Sequence, residues 1–137
     1  MERKVLSAVM MIFLLLISAF LAAQDRPAVK PENLVGTWEL VVDAGQMVIN
    51  LNLAVALENG NLTAKISEPY GSFSDVPATE VKLENNRFSF NLTVPSPPDG
   101  ATRTWTFDLE VSGEEMDGIV YNNEIQVSVP VRGKKSS

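Results

Sequence analysis

The chain has 137 residues, with 17 acidic and 11 basic side chains and a net charge of −6 at neutral pH. This length is typical of one domain, and the acidic balance disfavours nucleic acid or an anionic lipid surface as a partner. The sequence holds neither Cys nor His, which excludes a disulfide framework, the usual zinc sites and nucleophiles activated by His. We therefore expect no cofactor, no metal site and no catalytic residues.

The first 23 residues have the pattern of a secretory signal peptide. Arg3 and Lys4 precede an apolar run over 5–21, and Ala22-Ala23 supplies small residues before the polar Gln24. This order predicts export, to the periplasm or the medium, with cleavage after Ala23. The alternative is an uncleaved membrane anchor, because an apolar run of about 18 residues can span a bilayer. We expect no other membrane contact.

Residues 24–33 contain two prolines and no apolar periodicity, so they are interpreted as an extended linker. From Leu34 to Gly133 the chain alternates between apolar and polar residues, which is the pattern of strands with one buried face. Turn signals rich in Gly, Asn and Pro interrupt this pattern at 43–46, 58–61, 69–77, 84–86, 96–100, 112–114 and 122–123. Residues 134–137 form a basic and polar tail.

Seven turns predict eight antiparallel strands over residues 34–133. Hairpin connections throughout favour an all-β, up-and-down barrel, since closure removes exposed edges and a sandwich needs long crossovers. The two longest connections, 69–77 and 95–101, are the third and the fifth, so they lie at the same end of such a barrel. That end is the predicted opening, with Tyr70 and Phe73 around it.

Two short motifs at the ends of the predicted barrel carry a family resemblance. Gly36-Thr37-Trp38 begins the first strand and Val131-Arg132-Gly133 lies in the last. The pairing resembles the calycin superfamily, which includes lipocalins, fatty-acid-binding proteins and avidins. The chain is most similar to short exported bacterial domains described as lipocalin-like, which share segments such as 86–90 and the Met-x-Gly at 116–118.

The resemblance implies structural roles at the closed end of the barrel. In calycins a Gly-x-Trp on the first strand is covered by an Arg or Lys near the last strand. Carried over to this chain, Gly36 and Trp38 form the barrel floor and the Arg132 guanidinium stacks on the indole ring. The match to avidins ends at the first motif, so biotin binding is not implied.

The first functional hypothesis is a binding site for a small apolar molecule at the long-looped end. An eight-stranded barrel is just wide enough to hold one small ligand. The candidate binding residues are interior aromatic side chains, one interior cation and two loop aromatics: Phe88, Phe90, Trp105, Phe107, Arg103, Tyr70 and Phe73. The alternative for each interior aromatic is that it simply packs the core, and the alternative for Arg103 is a rim residue in solvent.

Two other function classes are kept open. One is a protein-interaction module that acts through its loops or through residues 24–33 as an arm, similar in outline to periplasmic inhibitors of secreted metalloproteases. The other is an enzyme that uses paired carboxylates such as Asp108 and Glu110. Because the alternation places both carboxylates on the polar face, the sequence favours a protein without catalytic activity.

Overall fold

The computed structural model describes residues 28–136. The predicted signal segment, residues 1–23, lies outside these described residues. Within the described part, no helix is long and apolar enough to cross a membrane.

One short helix and nine strands make up the described chain. The helix is α1 (Pro31–Leu34), and the strands are β1 (Gly36–Asp43), β2 (Val48–Glu58), β3 (Asn61–Ser67), β4 (Val76–Pro77), β5 (Thr79–Glu84), β6 (Arg87–Pro95), β7 (Thr102–Ser112), β8 (Glu115–Asn122) and β9 (Val127–Lys135).

The all-β, antiparallel, up-and-down architecture is confirmed, but the expected number of eight strands is wrong. The ninth is the two-residue strand β4, which lies inside the predicted third connection and pairs with β3 at Lys65–Pro77 and Ile66–Val76. A pair of residues that includes a proline has no alternation to detect, so only the backbone pairing reveals this strand.

The nine strands form a single sheet in the order β4-β3-β2-β1-β9-β8-β7-β6-β5. The first and last long strands, β1 and β9, pair along Trp38–Val42 and Val131–Lys135. The sheet edges β4 and β5 are therefore consecutive in the chain, and Ala78 between them donates a 2.8 Å hydrogen bond to the carbonyl of Ala64 on β3. The barrel is nearly closed, with a seam between β3–β4 and β5.

Side chains on the inner face of every long strand fill the barrel. The fully buried ones include Trp38, Phe88, Phe90, Phe107, Leu40, Leu53, Ile66, Leu92, Leu109, Met116 and Val131. The Phe90 and Phe107 rings stack with centroids 4.7 Å apart, and the Phe88 centroid lies 5.4 Å from that of Phe90. Such arrangements are those that aromatic pairs prefer in protein cores.

One end of the barrel, here called the floor, consists of α1 and the turns 59–60, 85–86 and 113–114. Asn59 (φ 52°) and Gly60 (φ 81°) both have the left-handed conformation that a two-residue type I′ turn requires. The segment before β1 crosses this end, where the Val29 amide donates to the carbonyl of Asn85 (3.1 Å) and Leu34 is completely buried. Residues 29–34, which the sequence assigns mostly to a linker, thus belong to the barrel structure.

Candidate functional site

The four connections at the other end form the rim: residues 44–47, 68–75, 96–101 and 123–126. The two longest connections, 68–75 and 96–101, both lie at this end, because successive hairpin turns in a meander alternate between its two ends. Loops on a rigid scaffold are where binding residues usually lie. The rim is therefore the candidate site, and its geometry depends on what holds each loop.

Arg103 holds the 96–101 loop. Its guanidinium contacts both carboxylate oxygens of Asp99, at 2.7 Å (Nη1–Oδ1) and 2.9 Å (Nη2–Oδ2), and Nη1 donates to the carbonyl of Ser96 at 3.3 Å. The Arg103 side chain is only 10% exposed. The hydrogen bond from Arg103, with a second from the Ala101 amide, lowers the pKa of Asp99 to about 2.

Trp105 is tied to the same loop. Its indole N–H donates to Ser96 Oγ at 2.9 Å, and the Ser96 amide donates to the carbonyl of Ala101 at 3.1 Å. Ser96 is one of two buried polar residues among those described, and the indole N–H gives its hydroxyl oxygen a hydrogen-bond partner. Arg103 and Trp105, predicted as ligand contacts, are thus brought together as supports of one loop.

Glu68 organises the 68–75 loop. Its carboxylate accepts hydrogen bonds from the amides of Tyr70 (3.0 Å) and Ser72 (3.1 Å) and from the Ser72 hydroxyl (2.8 Å). These hydrogen bonds, led by the one from the Tyr70 amide, lower the pKa of Glu68. The loop presents Tyr70 with 92% of its surface exposed, whereas Phe73 is partly buried against the core.

Asn122 shapes the last rim connection. Its side-chain oxygen accepts from the amides of Glu124 (2.8 Å) and Ile125 (3.2 Å), while its amide donates to the carbonyl of Thr104 (3.2 Å). Sequence reasoning missed Asn122, Glu68, Ser96 and Asp99 as loop organisers. The available signal at Asn122 and Asp99 was a short polar side chain in a predicted turn, which commonly accepts from the backbone amide two residues on.

The remaining interior candidates lie in the core rather than at the rim. Phe88, Phe90 and Phe107 are at most 2% exposed, and the Phe90 ring contacts the other two. Two depressions, of about 210 and 190 Å³, lie on the outer face of the sheet, and the second extends to the rim connection at Asn123 and Glu124. The interior of the barrel is occupied by its own side chains.

At the floor, the structure places Lys135 rather than Arg132 over the Trp38 ring, with Nζ 5.7 Å from the centroid. Arg132 is exposed and lies across from Asp117 on β8, on the outer face. The reason is the period of two in β9, which turns Val131 and Gly133 inward and Arg132 outward. Trp38 itself is fully buried, as the resemblance implies, and donates its indole N–H to the carbonyl of Leu34 at 2.9 Å.

Three of the six exposed large apolar side chains among the described residues lie at the rim or directly beside it. Met47 is 49% exposed, Val48 is 58% exposed, and Tyr70 is the most exposed of all. Elsewhere Val35, Val41 and Ile119 are isolated examples on the floor and the outer face. No group of three or more Asp or Glu residues placed to hold a metal ion occurs within residues 28–136.

Comparison with known proteins identifies no relative. No family model, no curated protein and no solved structure matches the chain.

Proposed function

We propose that this protein is an exported, non-catalytic binding module whose rim contacts another protein. The observation that carries the proposal is the filled barrel combined with exposed apolar residues on loops that are internally braced. Met47 and Tyr70 lie on two connections of the rim, and Val48 is the first residue of β2 directly after the first of these connections. Exposed Tyr and Met side chains are enriched in the central parts of protein interfaces.

Preorganisation of the loops supports binding by the rim. Glu68 fixes the backbone on both sides of Tyr70, and Arg103 with Asp99 fixes the neighbouring 96–101 loop. A loop that is ordered before association loses less conformational entropy on binding. The segment 29–34 is bonded to the floor, which favours the rim over an N-terminal arm as the contact surface.

We also infer that the barrel is a calycin-like one. Gly36-Thr37-Trp38 begins β1, Trp38 closes the floor, and a cation from the end of the last strand covers it. A lysine in this position agrees with the Arg-or-Lys pattern of the superfamily. The nearly closed, up-and-down sheet is compatible with this assignment.

Site-specific photo-crosslinking in the producing cell tests the protein-binding role. A photoreactive amino acid at position 70 should yield a crosslink to one discrete protein, whereas the same group at position 35 on the floor should not. Val35 is a suitable control because it is an exposed apolar residue at the opposite end. When the photoreactive amino acid is placed at position 47 instead, the Tyr70→Ser substitution should remove most of the crosslinked product.

A second candidate is a small apolar ligand held between the rim loops. It is favoured by the half-buried apolar side chains of Ile49, Phe73, Trp105 and Val129 near the open end. Native mass spectrometry separates the two candidates. A discrete added mass that disappears on denaturation supports the ligand, and an unmodified mass together with the position-70 crosslink supports the protein partner.

A further inference from the structure

The outer face of strands β5–β8 carries a polar groove, and none of the exposed apolar residues of the rim lines it. Its larger depression, of about 210 Å³, is lined by residues that include Glu80, Lys82, Arg87, Asn91, Asp108 and Tyr121. A second depression, of about 190 Å³, adjoins it and shares Thr106 and Tyr121. We call the two together the outer-face groove.

A row of polar side chains crosses the groove perpendicular to the strands. Asn91 on β6 lies opposite Thr106 on β7, which lies opposite Tyr121 on β8. The Asn91 amide donates to Glu80 Oε2 at 2.9 Å, and its oxygen accepts from the Thr106 hydroxyl at 2.9 Å. Both neighbours fix the orientation of the Asn91 amide, which retains one N–H and one lone pair for a ligand.

A second row contains an incompletely satisfied carboxylate. Asp108 on β7 lies opposite Ser89 on β6, which in turn lies opposite Lys82 on β5. Asp108 Oδ1 is buried and has no hydrogen bond, although Arg87 Nε lies 3.1 Å away. Because the Arg87 side chain is 70% exposed, its guanidinium is free to turn towards a ligand, which would uncover the acceptor beneath it.

The charge of the groove selects the class of ligand. Within the larger depression the cations of Lys82 and Arg87 balance the anions of Glu80 and Asp108, although the whole chain has a net charge of −6. A balanced lining attracts neither an anion nor a cation. It offers donors and acceptors side by side, which suits hydroxyl groups because each of them both donates and accepts.

We propose that the outer-face groove binds a neutral saccharide. The Asn91 side chain donates to one ring hydroxyl through its N–H and accepts from another through its oxygen, whereas the Asp108 carboxylate only accepts. The half-buried Tyr121 ring supplies an apolar face for the sugar C–H groups. Each depression is smaller than the roughly 300–1,000 Å³ of a pocket for a drug-sized molecule. Two adjoining depressions therefore fit consecutive sugar units of a chain that lies along the surface.

NMR titration of the ¹⁵N-labelled protein tests this proposal with defined probes. Cellotetraose, maltotetraose and chitotetraose are the neutral probes, and tetragalacturonate is the anionic comparison. At least one neutral probe at millimolar concentration should shift the backbone amides of Asn91, Thr106, Asp108 and Tyr121. Tetragalacturonate should bind more weakly than that neutral probe.

Matched variants test whether binding depends on the groove or on another part of the surface. Asn91→Ala should weaken binding about tenfold, which is the effect of losing one well-placed polar contact, and Tyr121→Phe should retain most of the affinity because the ring remains. Asn52→Ala, on the exposed outer face of β2, should change nothing. The amide spectrum of each variant reports directly whether it folds.

Several results overturn the proposal. They are an absence of shifts with every neutral probe, shifts confined to the 44–47, 68–75 and 96–101 connections or to the floor, equal affinity in folded Asn91→Ala, and binding of tetragalacturonate alone. None of these outcomes tests the proposed protein-binding role of the rim, because that role is measured separately by crosslinking from position 70.

Discussion

The ammonium group of Lys135 lies 5.7 Å from the centroid of the Trp38 ring and donates a 3.0 Å hydrogen bond to the carbonyl of Asn33. One side chain at the end of β9 thus joins the first strand to the segment that crosses the floor. The Ser136 amide reinforces this connection by donating to the carbonyl of Thr37 at 2.8 Å. The two ends of the described chain therefore stabilise each other.

Lys135→Met should lower the free energy of unfolding by about 1 kcal/mol, through loss of the cation–π contact and the hydrogen bond. Urea denaturation followed by tryptophan fluorescence measures the change. Arg132→Met is the control, and its exposed side chain predicts a change close to zero. Equal effects of the two substitutions would contradict the assignment of Lys135 to the floor.

Two glycines on the inner face should differ in their response to an added methyl group. A Cβ at Gly133 would lie 2.6 Å from Leu40 Cδ2 and from Met116 Cγ, and these side chains can shift. Gly133→Ala should therefore cost about 1–3 kcal/mol, as overpacking usually does. A Cβ at Gly118 would meet the backbone of Asp108 and Leu109, so Gly118→Ala should cost more than Gly133→Ala in the same denaturation assay.

The stacked rings of Phe90 and Phe107 predict a large loss of stability when one of them is removed. Phe107→Ala removes the ring that stacks on Phe90 and should cost about 3–5 kcal/mol. Phe107→Leu fills much of the space and should cost less. Thermal unfolding of both variants measures which loses more stability. An unchanged stability of Phe107→Ala would mean that the interior is not filled as described.

The Arg103–Asp99 pair predicts a pH response at the rim. Because the pKa of Asp99 is lowered to about 2 from an ordinary value of 3.8, the pair stabilises the loop at pH values above 3.8. That contribution is lost as the pH falls towards 2. Carboxyl ¹³C NMR should detect the low pKa, and Arg103→Met should return it towards 3.8.

Glu68→Gln should loosen the loop that presents Tyr70. The neutral amide is a weaker acceptor for the Tyr70 and Ser72 amides than the carboxylate is. Hydrogen exchange at these two amides should accelerate while exchange in the core strands stays the same. Glu58→Gln, at the opposite end of the barrel, should leave the 68–75 loop unchanged.

Much of the fold was predictable from local signals. Asn59-Gly60 and Asp99-Gly100 lie in the predicted turns, and alternation in Met47–Leu57 correctly identifies the inner face of β2. The position of Lys135 was also accessible, because counting in steps of two from Val131 leads inward to Gly133 and Lys135 and leaves Arg132 outside. Strand β4 was not accessible, since two residues carry no periodic signal.

By itself, the sequence determined the all-β class, the meander of hairpins and the end at which the longest loops meet, because these follow from period-two burial and from turn chemistry. Tertiary structure alone decided that Phe90 stacks on Phe107 and that Arg103 braces the 96–101 loop through Asp99. It also brought Asn91, Asp108 and Tyr121 together on the outer face. These relationships depend on strand register and on side-chain volume within a nearly closed sheet, which no single strand encodes.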